Sequence, residues 1–105
     1  MTQAIRHVVL FRFNEACTPA QVDEVLSAFA KLPEQIPDVQ SYEAGPNVSP
    51  EGLDQGYTHC FLISFADTTA RDRYLVHPAH LAFVELVKPR LAQALVVDFA
   101  NGGQG

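Results

Sequence analysis

Four histidines stand in three short segments of this 105-residue chain. Imidazole is the side chain whose proton affinity best suits acid–base work near neutral pH. His7 lies in Ile5-Arg-His-Val-Val-Leu-Phe-Arg-Phe13 and His59 in Tyr57-Thr-His-Cys-Phe-Leu-Ile-Ser-Phe65. Both segments are apolar enough to be buried, so each imidazole must find a partner or serve a ligand. The remaining two belong to Tyr74-Leu-Val-His-Pro-Ala-His80. If the first two segments are adjacent parallel strands, His7 and His59 reach one height. His80, with the Tyr74 hydroxyl, can then meet them from a helical layer. His80 falls in the first turn of a helix starting at Pro78, where the positive end of the dipole disfavours imidazolium. A neutral imidazole is the form a general base needs. The candidate catalytic residues are therefore His80, Tyr74, His59 and His7, around one cleft between sheet and helices.

A plainer reading stands beside this one. A strand histidine can be a core residue satisfied by one hydrogen bond, and Tyr74 can pack in the core with its hydroxyl reaching water. His77, directly before a proline, suits a cap or the surface. The three-residue spacing of His77 and His80 resembles a metal pair, but a break at Pro78 removes the shared face and no carboxylate stands nearby in sequence. No metal or cofactor is expected.

The elements that must hold these residues follow from periodicity. Residues 5–13 read as a strand apolar on both faces, with Ile5, Val9, Phe11 and Phe13 on one side and Val8 and Leu10 on the other. Thr18 suits an N-cap, Pro19 the first helical position, and Gln21 completes a capping box. Val22, Val25, Leu26, Phe29 and Leu32 form the apolar stripe of a helix that should stop near Pro33 and Pro37. A second strand is expected at 39–44, then turn chemistry over 45–52 with a short helical turn after Ser49. A third strand spans 57–65, again apolar on both faces. Asp67 or Thr68 caps a helix through Arg71, Tyr74 and Leu75; a new helix starts at Pro78 and ends or kinks at Pro89. Leu95-Val-Val-Asp-Phe99 is a short last strand, and 101–105 a loose tail.

The order β-α-β-β-α-β is the ferredoxin-like split arrangement: an α+β fold with a four-stranded antiparallel sheet, in one domain over residues 1–105 with an ordered core at 5–100. Helices cover only one face of such a sheet, yet the central strands are apolar on both. The simplest cover is a second copy, so a two-fold homodimer packed sheet on sheet is expected.

Composition narrows the partners. Seven Lys and Arg, unclustered in a chain of net charge −5, supply no electrostatic footprint for nucleic acid or an anionic membrane. No apolar run approaches a transmembrane span, and Met1-Thr-Gln-Ala-Ile-Arg lacks a signal-peptide pattern, so a cytoplasmic protein is expected. On parallel strands Cys17 and Cys60 would sit at opposite ends of the sheet, too far apart for a disulfide.

The chain also resembles a known family, the stress-responsive A/B barrel domain (Dabb) family of small dimeric α+β barrels. The resemblance covers nearly the whole chain. It rests on the segments His7–Phe13, Gly45-Pro-Asn, Glu51–His59, Tyr74-x-x-His77-Pro-Ala-His80-x-x-Phe83 and Val97-Asp-Phe99. It implies a ferredoxin-like monomer in a face-to-face dimer. A plant member closes a linear polyketide by aldol condensation without metal or organic cofactor. The resemblance implies His80 as general base and Tyr74 as the residue that orients it, with His7 and His59 lining the same cleft. On this footing the chain is expected to hold a small hydrophobic cleft for a carbonyl-containing or aromatic metabolite. The alternatives are a non-enzymatic stress-responsive structural or binding protein, and a cofactor-independent monooxygenase-like or heme-handling dimeric barrel.

Overall fold

A computed structural model describes residues 3–101. Strand β1 (Ala4–Phe13) leads into helix α1 (Pro19–Gln35), then β2 (Ser41–Pro46), β3 (His59–Phe65), α2 (Thr68–Val76), α3 (Pro78–Val87), a 3-10 turn at Lys88–Arg90 and β4 (Leu91–Asn101). The sheet order is β2-β3-β1-β4, antiparallel throughout. This is the ferredoxin-like arrangement, with its second helix split in two. The split falls at His77-Pro78, because the residue before a proline is pushed out of helical angles; His77 has φ −66° and ψ 137°.

The parallel pairing of the first and third strands is corrected. Strands β1 and β3 run antiparallel, with His7 opposite Ile63 and His59 opposite Phe11. The reason lies in the connections. The crossover through α1 makes β2 parallel to β1, and the β2–β3 turn reverses direction, so β3 must oppose β1. Four register positions at ~3.3 Å each then separate the two histidines by roughly 13 Å along the sheet. The premise that set the cysteines at opposite ends fails with it. Cys60 stands opposite Leu10, towards the end of β1 from which the chain runs on to Cys17; both thiols are free.

Several boundaries also differ, including the start of β3, which lies at His59 rather than at Tyr57. Strand β2 extends to Gly45 and Pro46, which an edge strand tolerates because its outer N–H groups have no ladder partner to lose. Strand β4 is twice the expected length. Ala92, Gln93 and Ala94 are poor strand formers, but pairing from Ala4↔Asn101 to Phe13↔Leu91 overrides propensity. Asn101 therefore closes β4 rather than opening a tail, and residues 102–105 lie outside the described residues. After Ser49 the chain forms turns, not a helix.

Helix α1 begins as its sequence dictates. The Thr18 hydroxyl accepts from the Gln21 N–H at 3.2 Å, and the Gln21 side chain accepts from the Thr18 N–H at 3.0 Å. It buries Val25, Phe29 and Leu32 against the sheet and runs through Pro33 to Gln35. Ile5, Val9, Phe11, Phe61, Ile63 and Phe65 form the facing layer of the core, closed by Tyr74, Phe83 and Val87. The opposite sheet face stays uncovered. Leu95, Val97 and Phe99 are 37%, 53% and 50% exposed there, beside the half-buried Val8 and Leu10.

Candidate functional site

His7 is the second inward position of β1, buried on the helix-facing side between Phe65 and Tyr74, with ring centroids 6.1 and 5.9 Å away. Tyr74 closes the last turn of α2 and is 1% exposed. Pro78 starts α3, with the ring of His77 capping it by accepting from the Ala79 N–H at 3.0 Å. His80 is thereby set in the first turn of α3, its ring 4.5 Å from that of Tyr74. These three side chains line one cavity of about 320 Å³ between the sheet and α2–α3. Its other walls include Val9, Phe11, Phe29, Phe83, Val87 and Val96. That volume and apolar lining are typical of a small-molecule pocket.

His59 is not among them. It faces the helix side too, but at the far end of the sheet, its ring 5.5 Å from Phe13. It lines a separate, open groove of about 760 Å³ with Tyr42, Phe61, Leu26 and Ala30. A convergence of all four residues on one cleft is therefore corrected, and the cause is the antiparallel register.

The two cavity histidines have different partners. His80 Nδ1 lies 3.0 Å from the Leu75 carbonyl oxygen. A carbonyl only accepts, so Nδ1 carries the hydrogen and Nε2 keeps its lone pair. Burial pushes the His80 pKa below its ordinary value; the Leu75 bond opposes this shift in part, and the nearby His7 adds to it. Burial, with Tyr42 nearby, raises the Tyr74 phenol, which stays a neutral hydrogen-bond donor. His7 Nδ1 instead lies 2.6 Å from a carboxylate oxygen of Asp98, on the facing position of β4. The other Asp98 oxygen accepts from Arg71 of α2 at 2.7 Å. Burial raises the Asp98 carboxyl, but hydrogen bonds from Arg71 and His7 outweigh it and hold the group below its usual value.

Asp98 and Arg71 extend the set beyond the histidines. An available signal was the acidic residue inside the apolar run Leu95–Phe99, since a carboxylate on a strand face needs a paired cation or donor. No group of three or more His, Cys, Asp or Glu side chains suited to a metal ion occurs among the described residues. No helix there is long and apolar enough to cross a membrane.

Fold and cavity together define a ferredoxin-like α+β domain with two differently partnered histidines on one apolar pocket. The chain belongs to the Stress responsive A/B Barrel Domain family, which it matches over residues 5–101. It is 34% identical over 95 residues to the stress-response A/B barrel domain-containing protein HS1 of Arabidopsis thaliana, covering 90% of this chain and 87% of that protein. It is 26% identical over 96 residues to olivetolic acid cyclase of Cannabis sativa, covering 91% and 95%. Among solved structures it is similar to a dimeric ferredoxin-like protein of unknown function from Thermobifida fusca. That similarity has 32% identity and a TM-score of 0.82 over 95% of this chain and 92% of that one.

Proposed function

We propose that this chain is a cytoplasmic homodimer that catalyses cofactor-independent acid–base chemistry on a small carbonyl-containing, hydrophobic or aromatic metabolite, by proton abstraction next to the carbonyl. The observation that carries this reading is His80. It has Nδ1 bonded to the Leu75 carbonyl, Nε2 left basic, and a place on an apolar cavity beside Tyr74. In the proposed step Nε2 takes the proton from the carbon next to the carbonyl. The C–H bond pair moves into the new C=C bond, and the carbonyl oxygen gains the charge. Tyr74, a neutral donor, is the group available to stabilise that oxygen. The resulting enolate can attack a second carbonyl of the same molecule, the ring-closing step of an aldol-type cyclase. The 26% identity to a protein named as a cyclase supports that reaction class over others. His59 has no part in it, because it lines a different groove.

The test uses a minimal ketone. Phenylacetone in D2O should exchange its benzylic hydrogens faster with the protein than with an equal concentration of free imidazole, and the rate should saturate with ketone. A rate that only tracks imidazole contradicts the reading. One observation favours a non-enzymatic rival, a binding or structural member of the family. His7 is already bonded to Asp98 and packed between two aromatic rings, as a satisfied core group would be. The same experiment separates the two, since a binding protein gives ketone saturation in titration without exchange.

A further inference from the structure

The segment Val97-Asp-Phe99 has no role in the reading above, yet its Asp98 is the group that touches His7. The geometry points to Asp98, held in place by Arg71, as the positioning residue that fixes the tautomer of His7 and turns its Nε2 into the end available to a ligand in the cavity. This deepens the proposed acid–base reading and rests on it for its chemical consequence.

Three elements meet to make the arrangement. His7 and Asp98 are register partners on β1 and β4, so their side chains leave the same face of the sheet side by side. Arg71 reaches down from the first turns of α2 and donates to the Asp98 oxygen that His7 does not use. Its Nε also donates to Asp72 at 2.9 Å, which fixes the guanidinium from a second side. Both carboxylate oxygens of Asp98 are thus occupied, and the carboxylate cannot rotate away without losing one partner.

An ionised carboxylate has no hydrogen to give, so the ring nitrogen facing it must be the donor. His7 therefore carries hydrogen on Nδ1, and its remaining nitrogen, Nε2, is left without a partner on β4. His80 is fixed in the same tautomeric sense by a different acceptor, a neutral backbone carbonyl. That difference separates the two rings. A carboxylate oxygen accepts from the His7 ring at 2.6 Å, while a neutral backbone carbonyl accepts from the His80 ring at 3.0 Å. When the His80 ring is the base, His7 thus presents the lone pair of Nε2 to the cavity and can accept a hydrogen bond from a hydroxyl of the ligand. Removing the carboxylate charge should leave the His7 ring in place, since it is packed against Phe65 and Tyr74, but free its tautomer.

Long-range nitrogen–proton NMR on histidine-labelled protein reads this directly. In the wild type, His7 should show a protonated Nδ1. In Asp98→Asn, whose amide can turn its NH2 group to the ring, a substantial population should move to the Nε2–H form. Arg71→Gln should shift the His7 nitrogen signals in the same direction, and Arg71→Lys should restore much of the wild-type pattern. A His7 that is already Nε2–H in the wild type, or whose tautomer is untouched by both Asp98→Asn and Arg71→Gln, overturns the inference. Should Asp98→Asn fail to fold, the Arg71 pair decides it. If the wild type shows the expected tautomer and no exchange activity, the proposed function fails while the positioning role of Asp98 stands.

Discussion

His80 differs from an ordinary surface histidine in one respect that can be measured: burial holds its pKa below the usual value near 6.5. The sign of the consequence is fixed. As pH falls through that lowered value, Nε2 takes a proton and the base is lost; above it, the base is fully available. Exchange of phenylacetone should therefore be flat from neutral pH upward until the Tyr74 phenol, raised by burial, begins to ionise in alkali. The acid limb should lie below pH 6.5, and rates measured across the range from acid to neutral will place it. An acid limb centred above 6.5 would mean that another group acts as base. The same residue shows how much of the site was legible in the sequence. The pair of His80 and Tyr74 could be read from Pro78, because the proline sets both the end of one helix and the start of the next. Asp98 and Arg71 could not be paired in advance, because their meeting depends on the β1–β4 register, which no local pattern reports.

At the scale of elements, local chemistry and long-range pairing leave different marks. The start of α1 is local. Thr18 and Gln21 satisfy each other's backbone groups, and Thr18→Ala should cost about 1 kcal/mol in chemical denaturation, as loss of an N-cap usually does. Phe29 sits where long-range packing dominates, with its ring centroid 4.5 Å from that of Phe61 and 4.6 Å from that of Phe83. Phe29→Ala should cost about 3–5 kcal/mol, several times the cap, because a cavity is left under the helix. Equal costs for the two would place the stability of α1 in its own sequence rather than in its packing. Element order, the capping box and the break at Pro78 were all legible because each rests on neighbouring residues. The lengths of β2 and β4 were not. Gly45, Pro46 and Gln93 are poor strand formers carried by their partners in the sheet. The direction of β3 relative to β1 follows from the connections rather than from any side chain, and His59 is misplaced as soon as that direction is read wrongly.

For the whole molecule the open question is what covers the second sheet face. Leu95, Val97 and Phe99 stand exposed on it beside Val8 and Leu10, and the similar Thermobifida fusca protein is described as dimeric. A second copy packed on this face would bury the patch. Cys60 lies on the same face, on a central strand, and is exposed in the single chain. In a sheet-to-sheet homodimer its alkylation should slow markedly. Val97→Glu should restore fast labelling and yield a monomer in sedimentation. Fast labelling of the wild type, with a monomer mass at micromolar concentration, would rule that assembly out. The cavity of His7, Tyr74 and His80 lies on the other side of the sheet, so its chemistry can be judged apart from the dimer. The most direct measurement of the central claim is the phenylacetone exchange rate of His80→Ala against the wild type, with the unfolding midpoint of each recorded. The account predicts that the rate drops to that of the uncatalysed reaction while the midpoint barely moves. A variant that keeps the wild-type rate, or that unfolds because a core group has been removed, would contradict it.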